Sequence, residues 1–461
     1  MSPAARRKPK REQQPRPPEP VRAVSGARVV AIDALVRIDD GAYAHVVLPA
    51  MLSQTTLSDR DRAFTTDLVY GTVRAQRRLD DLLGHVVKRP LVKLDPPVRA
   101  ALRLGAYQLL GDTPPHAAVA ATVDAIGARS PRARGFVNAN LRSLTRLPQP
   151  WPEPESEAVA LSYPDWLVAR LTTELGAADA RAALVAMNEP AAVTLRPHPR
   201  KMTADALAEE LQSGRSEGQV GVQVERGRLV PDALLVRGIG DPARLAAVRE
   251  GRATPQDQGS QAVVNALAPE PGERIADLAA APGGKATAIA ERVGPDGSVV
   301  AVDLDAGRVR MIATARERLD LDRLAPVVGD ARTPPLRAES FDRVLLDAPC
   351  SGIGVLRRRP DARWQLRPEA IAELAELQRA LLGAAATLVR PGGVLVYSVC
   401  TVTTEETTGI DDWAAEHLPD FHALKPPGGL WTGHGRGALL LPQTAGTDGM
   451  FVLLLRRASA R

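Results

Sequence analysis

From residue 253 onward, short apolar runs and amphipathic runs alternate without a break: RIADLAA, GGKATAIAERV, SVVAVDLD, RVRMIATARERL, APVVGDA, FDRVLLDAP, PEAIAELAELQRALLGAAATLV and GVLVYSV. Strands that are apolar throughout, rather than at every second position, must be covered on both faces, and the helices between them supply the covers. The alternation predicts an α/β, Rossmann-like domain over 253–461 built on a mostly parallel sheet. In such sheets ligands sit outside the carboxyl ends of the strands. Every motif considered below falls at such an end.

The segments ahead of it follow other rules. Residues 1–25 are Pro, Arg, Lys and Gln with almost nothing apolar, which predicts a disordered basic arm. Residues 26–147 carry helical periodicity. Ser58 followed by Asp61 makes a capping-box start, and Phe64, Leu68, Leu79, Leu82, Leu83 and Val86 recur at three- and four-residue spacing. Loops such as PLVKLDPP and GDTPPH separate the segments, so the region reads as an all-α bundle. After the hinge LPQPWPEPE, residues 156–252 read as helices (SYPDWLVARLTTEL, DARAALVAMN), a strand (VTLRP), a helix (ADALAEEL) and a strand (ALLVRG), a small α+β linker domain compatible with a ferredoxin-type platform.

Charge is distributed unevenly along this order. The chain carries 59 Lys and Arg against 54 Asp and Glu, yet residues 23–147 hold 17 basic side chains and 11 Asp with no Glu at all. A basic front half ahead of a mildly acidic back half points to nucleic acid as a partner, against the plainer reading of a solvated basic surface. With 44% apolar residues the chain is not disordered as a whole. No stretch approaches ~18 uninterrupted apolar residues, and none follows the basic N-terminus, so neither a spanning helix nor a secretory signal is expected. A cytoplasmic protein without a membrane partner follows. Two cysteines cannot form a disulfide framework, and no C-x-x-C, H-E-x-x-H or His/Cys cluster is present, so no metal is expected.

The first strand of the α/β domain runs into Asp277 and then Ala279, Ala280, Ala281, Pro282, Gly283, Gly284 and Lys285, where a helix begins. Paired glycines let the backbone approach a ligand, and the helix start offers unpaired N–H groups. This is neither the G-x-G-x-x-G of dinucleotide binders nor a phosphate-binding Walker loop, so a pyrophosphate is disfavoured. The second strand ends at Asp303, where a carboxylate can accept from both hydroxyls of a ribose. The third ends at Asp330 and the fourth at Asp347. Each acid alone could be a helix cap or turn residue. Together, carboxylates along successive strand ends fit a nucleoside-like ligand without phosphates, S-adenosylmethionine.

Both cysteines lie just past a strand, Cys350 in LLDAPCSGIGV and Cys400 in LVYSVCT. A buried, inert thiol is the usual reading of either one alone. Two at neighbouring strand ends beside a methyl donor point to covalent chemistry. Carbon 5 of cytosine is a poor nucleophile until a thiolate adds to carbon 6 and pushes electron density onto it.

DLAAAPGGK, AVDLD, GDAR, DAPCSGIGV, RRRPDARW and YSVCT resemble the RNA 5-methylcytosine methyltransferases of the NOL1/NOP2/Sun family. The front helices RAFTTDLVYGTVRAQRRLDDLL, RAALRLGAYQLL and HAAVAATVDAI resemble the RNA-binding NusB domain, which narrows the likeness to the bacterial small-subunit ribosomal RNA type. The resemblance implies a multidomain fold: a NusB-like bundle (26–147), the linker domain (156–252) and an S-adenosylmethionine-dependent methyltransferase domain (253–461). It implies that Cys400 attacks carbon 6, that Cys350 assists proton removal and product release, and that Asp347 holds the cytosine edge near N3 and N4. It also implies cofactor binding by Ala279 to Lys285, Asp303, Asp330 and Asp347. Arg359, Asp361 and Trp364 are implied to be structural or RNA-contacting, and Asp257 and Gln261 are weaker site candidates. Arg74, Arg77 and Arg78 are the cluster placed on the RNA-facing surface of the NusB-like bundle, against the alternative of an ordinary charged helix face. The expected partner is small-subunit ribosomal RNA, and a monomer is expected.

The chain departs from the family pattern in places. Ala279 stands where the family commonly has Cys, TCS has become Val399-Cys400-Thr401, EN is Glu406-Thr407, and RVN is Arg196-Pro197-His198. None removes a group the chemistry requires, although the last leaves RNA contact by that strand open. A free thiol has a pKa of ~8.5, so Cys400 needs help to ionise. The cationic sulfonium and a helix starting near Thr403 would give it, and Glu405 and Glu406 would oppose it if they point inward. Three rivals remain in view. A methyltransferase acting on an exocyclic amine needs an Asn/Asp-Pro-Pro-aromatic stretch where DAPC stands. A non-catalytic RNA-binding or assembly factor need not have kept both cysteines and the carboxylates. A nicotinamide oxidoreductase lacks its glycine fingerprint. Within the same chemistry, another RNA such as tRNA is the alternative substrate.

Overall fold

The computed structural model describes residues 26–213 and 222–459; the basic arm expected over 1–25 lies outside the described residues. The first unit is helical: α1 (Ala27–Asp39), α2 (Ala44–Ser53), α3 (Asp59–Arg74), α4 (Gln76–Gly84), α5 (Pro96–Leu110), α6 (Pro115–Arg129) and α7 (Arg134–Leu144). Ser58 caps α3 as its spacing predicts, its Oγ accepting from the Asp61 N–H at 3.2 Å. Apolar positions of all seven helices meet in one core. The α3–α5 contact depends on Gly71, where an added Cβ would lie 2.1 Å from the Tyr107 ring.

Four short strands form the second unit: β1 (Val193–Pro197), β2 (Gln223–Arg226), β3 (Leu234–Arg237) and β4 (Ala253–Pro255), in the order β2-β3-β1-β4 with antiparallel neighbours. With the helix Ala204–Gln212 crossing from β1 to β2, this is the split β-α-β arrangement of ferredoxin-like folds. The helices Asp165–Leu175 and Ala177–Ala186, which precede β1, bury Leu167, Leu171, Ala183 and Leu184 in the same apolar cluster as the large sheet behind them.

That sheet has nine strands: β5 (Arg274–Leu278), β6 (Ser298–Asp303), β7 (Leu324–Val328), β8 (Phe341–Asp347), β9 (Val389–Val399), β10 (Phe421–Ala423), β11 (Thr432–His434), β12 (Gly437–Leu440) and β13 (Met450–Arg457). The order is β11-β12-β13-β9-β8-β5-β6-β7, with β10 beside β13. β7, β6, β5, β8 and β9 run parallel, whereas β13 and its neighbours are antiparallel. The parallel half matches the alternation in the sequence. Along it, Val344, Leu346, Leu395 and Tyr397 enter one apolar cluster and Leu345, Val394 and Val396 the opposite one, so both faces are covered.

The segment RRRPDARW joins the catalytic sheet to the helical unit. Trp364 donates Nε1–H to the Val73 carbonyl at 3.0 Å, and Asp361 Oδ2 accepts from the Ala44 N–H at 3.2 Å. Arg363 is fully buried, its guanidinium 3.9 Å from the Tyr163 ring centroid and bonded to Ser162 O and Asn188 Oδ1. Asp361 and Trp364 are therefore structural, and Arg359 remains exposed.

The Arg74, Arg77 and Arg78 cluster is engaged by protein partners along the same seam, which favours the plainer structural reading of that face. Arg74 donates to Arg357 O at 3.3 Å, Arg77 to Tyr163 O at 2.7 Å and Asp165 at 2.8 Å, and Arg78 to Pro152 O at 2.6 Å. A helix face rich in Arg declares its charge in the sequence but not which later segment covers it. Arg196, in the departed RVN position, is also buried, donating to Gln256 Oε1 at 2.7 Å and pairing with Glu291 of the catalytic domain.

Candidate active site

The turn after β5 is shaped for close approach. Ala279 takes the left-handed conformation at φ 56° and Gly283 at φ 102°, and a Cβ on Gly283 would meet Ile312 at 3.3 Å. Glycine is thus required where the helix Gly284–Val293 begins. Asp303, 3% exposed at the end of β6, accepts from the Ala281 N–H at 3.1 Å, while Arg308 donates to the Ala281 carbonyl at 2.7 Å. The carboxylate expected to meet a ribose therefore also fixes the loop.

Asp347 ends β8 with both oxygens engaged. Lys285 Nζ lies 2.6 Å from Oδ2, and Ser398 Oγ donates to Oδ1 at 2.7 Å. Burial alone would lower the Lys285 pKa, but Asp347 and then Asp277 more than offset it and the amine is held charged. Asp277 is fully buried, and neither of its oxygens has a partner. Burial, reinforced by Asp347 and Asp303, pushes its carboxyl up to about 8. Three carboxyl groups and one ammonium thus act on each other at the ends of β5, β6 and β8, where acceptor oxygens suit a cationic ligand. Leu304, beside Asp303, and Val328, at the end of β7, are 67% and 53% exposed and offer apolar surface at these strand ends. These residues fit S-adenosylmethionine.

Asp330 stands differently from expectation. β7 ends at Val328, and the Asp330 side chain is held by Arg332 at 2.6 Å, which keeps it below the usual carboxylate range. The weaker candidates organise the chain: Asp257 Oδ1 caps the Gly259 N–H at 2.8 Å and accepts from Thr447, and Gln261 donates to Gln256 O at 2.9 Å.

The two cysteines meet. Cys350 Sγ and Cys400 Sγ are 3.3 Å apart, and both residues retain some access to solvent. The hydrogen bond to Cys400, then burial, then the negative groups nearby raise the Cys350 thiol well above its ordinary range. Cys350 is accordingly held toward its protonated form, and either sulfur can donate in the contact between them. Lys285 and Arg358 both interact electrostatically with Cys400. The helix start expected near Thr403 is absent, because Thr404–Glu406 is a 3-10 turn and the helix begins only at Thr408. Glu405 turns outward to Arg170, whereas Glu406 points inward and is fully buried.

Sequence reasoning missed Arg308, Ser398, Ser351, Thr401 and Arg358 as parts of this site. Serine at 351 and 398 and threonine at 401 each adjoin or lie close to a motif cysteine, which was the available signal.

With this geometry described, the relatives are informative. The family model described as 16S rRNA methyltransferase RsmB/F matches residues 264–456, the NusB family matches 25–146, and the ferredoxin-like domain of RsmF/B-like methyltransferases matches 163–241. A Mycobacterium tuberculosis protein named as a methyltransferase is 39% identical over 467 residues, covering 96% of this chain and 97% of its own. The ribosomal RNA small subunit methyltransferase B of Sodalis glossinidius is 37% identical over 431 residues, 92% of this chain and 96% of its own. The crystal structure of PH0851 superposes with a TM-score of 0.80 at 27% identity, covering 95% of this chain and 100% of that one. The identity extends along nearly the whole length and the three domain types match in order, so the chain belongs to the RsmB/F family of S-adenosylmethionine-dependent methyltransferases.

Proposed function

We propose that this protein methylates carbon 5 of a cytosine in small-subunit ribosomal RNA through a covalent adduct between Cys400 and carbon 6. The observation that carries the reading is the 3.3 Å approach of Cys350 and Cys400 beside the Lys285–Asp347 pair. When bound, the cofactor supplies an electrophilic methyl group on a sulfonium.

Cys400 is the sulfur suited to attack, since the Cys350 thiol is held toward its protonated form and Lys285 and Arg358 lie within electrostatic reach of Cys400. Its lone pair forms the bond to carbon 6, and electron density moves to carbon 5. Asp347, held by Lys285 and Ser398, is offered to the N3 and N4 edge, where it favours the adduct protonated at N3. After methyl transfer, the carbon 5 proton goes to Cys350 as Cys350 passes its own proton to the departing Cys400 sulfur, the bond to carbon 6 breaks and N3 gives back the proton it gained on attack. Cys350 ends as it began, and Cys400, which attacked as a thiolate, ends as a thiol that loses one proton to solvent before the next turnover. Ala279 to Lys285, with Asp303, Asp330 and Asp347, would hold the cofactor.

Bisulfite sequencing of ribosomal RNA from cells with and without the gene tests the reading. Loss of one protected cytosine in small-subunit RNA is expected. An unchanged pattern at every ribosomal cytosine overturns the substrate assignment and turns the search to tRNA.

A further inference from the structure

Each cysteine is followed by a hydroxyl residue, Ser351 after Cys350 and Thr401 after Cys400. The two hydroxyls meet, Ser351 Oγ lying 2.8 Å from Thr401 Oγ1, and both residues are buried. Beneath them Glu406 is 0% exposed. Its Oε1 accepts from the Ser351 N–H at 2.8 Å and from Gln378 Nε2 at 2.9 Å, and its Oε2 accepts from Ser351 Oγ at 2.5 Å and Thr403 Oγ1 at 2.8 Å. A carboxylate taken fully out of water is costly unless its acceptor sites are filled. Here four donors fill them, from the loop after β8, the helix Glu369–Leu388 and the turn after β9.

The main chains are joined at the same level. The Ala348 N–H donates to Ser398 O at 2.9 Å and the Gly354 N–H to Cys400 O at 2.9 Å. A Cβ on Gly354 would lie 2.3 Å from Gly449 O, so that approach is closed to other residues. Neither cysteine loop can shift without breaking a hydrogen bond held by Glu406 or by its partners. The departure of TCS to Val399-Cys400-Thr401 keeps a hydroxyl at the one position where this arrangement needs it.

We infer that Ser351, Thr401 and Glu406 form a buried clasp that sets the separation of the Cys350 and Cys400 sulfurs, which makes Glu406 and Thr401 positioning residues for the release step. The inference rests on the covalent reading above only where it speaks of release; the clasp itself is a claim about geometry. Transfer of a proton between two sulfurs depends steeply on their distance, and a misplacement of ~1 Å costs about 10²-fold in such a step.

Two measurements on the full chain test it. In the first, the protein is equilibrated with reduced and oxidised dithiothreitol. Formation of the Cys350–Cys400 bond delivers two electrons and two protons to the cyclic disulfide, and the equilibrium constant reports the effective concentration of one thiol at the other. Thr401→Val, nearly equal in shape, and Glu406→Gln are expected to lower that constant about tenfold, and Thr401→Ser to restore it. In the second, methyl transfer to RNA is followed over one turnover and over many. The Val and Gln variants are expected to lower kcat about 10²-fold with KM for RNA unchanged, and to accumulate the covalent RNA adduct. Unchanged cofactor affinity serves as the control for folding. A disulfide constant equal to wild type in Thr401→Val overturns the clasp. A shifted constant with unaltered kcat overturns its role in release. Absence of any adduct in the wild type is a failure of the covalent reading instead, and the disulfide constants do not depend on it.

Discussion

Cys350 Sγ lies 3.3 Å from Cys400 Sγ although fifty positions separate them in the chain. Adjacency of the parallel strands β8 and β9 brings them together, with Asp347 opposite Ser398 in the register. The pair is asymmetric. Burial and the contact with Cys400 raise the Cys350 thiol, which agrees with the proposed role of Cys400 as the nucleophile.

Replacing either sulfur should give different outcomes. Cys400→Ser removes the nucleophile, and methyl incorporation into RNA is expected to fall at least about 10⁴-fold. Cys350→Ala keeps the attack and loses the release, so a protein–RNA band resistant to denaturant is expected on a gel. Near-normal turnover in Cys400→Ser would sink the assignment.

Asp303 fixes the loop after β5 through the Ala281 amide, and in the proposed reading its oxygens also meet the cofactor. Asp303→Ala is expected to weaken S-adenosylmethionine binding by about 2–3 kcal/mol, the loss of hydrogen bonds to a charged group together with a loosened loop. Calorimetric titration measures this directly. An unchanged dissociation constant would show that the carboxylate does not face the ligand.

Asp277 makes stability depend on pH. Its carboxyl titrates near 8 in the folded chain and near 3.9 when unfolded. Between these values the unfolded state loses its proton and the folded state keeps it, so this group's contribution falls as pH rises, by up to about 5 kcal/mol, and levels off above pH 8. Urea midpoints at pH 5 and pH 8 should diverge less in Asp277→Asn than in the wild type. Equal divergence in both would refute the burial argument.

The same carboxyl links cofactor binding to protons. A cationic ligand beside Asp277 favours its ionised form, so binding at pH 7 is expected to release up to about one proton. Heats of binding in two buffers of different ionisation enthalpy measure the release, and Asp277→Asn should abolish it.

Arg77 and Arg363 should behave as structural residues. Arg363→Leu leaves Ser162 O and Asn188 Oδ1 without their donor inside the protein, a cost of at least about 2 kcal/mol in unfolding free energy. Arg77→Ala is expected to loosen the seam while leaving the salt dependence of RNA affinity unaltered, because its guanidinium is occupied by Tyr163 O and Asp165. A drop of about one in the salt slope would return Arg77 to the RNA surface.

Much of the site was legible before folding. Asp277, Gly283, Lys285, Asp303 and Asp347 sit where the strand-to-helix alternation places them, because a parallel strand and its following helix are specified within some ten residues and their junction is a local feature. The antiparallel strands β10 to β13 were not read from their apolar runs, since pairing of β13 with β9 joins positions far apart. The Thr403 helix start failed for a local reason. Its first turn is 3-10, and it is held by the buried Glu406 rather than by helical propensity.

The sequence by itself determined the periodicities, the glycine turn and the kinds of group available: two thiols, a row of carboxylates at strand ends, and Lys285 at the glycine turn. Tertiary structure alone decided how those groups meet. It set the distance between the sulfurs, committed Arg74, Arg77 and Arg78 to a seam between domains, left Asp277 without a partner and gave Glu406 four. Propensity and periodicity act over one or two turns of chain, whereas a hydrogen bond or an ion pair requires ångström placement of atoms from elements tens to hundreds of residues apart, and only the packed core fixes that.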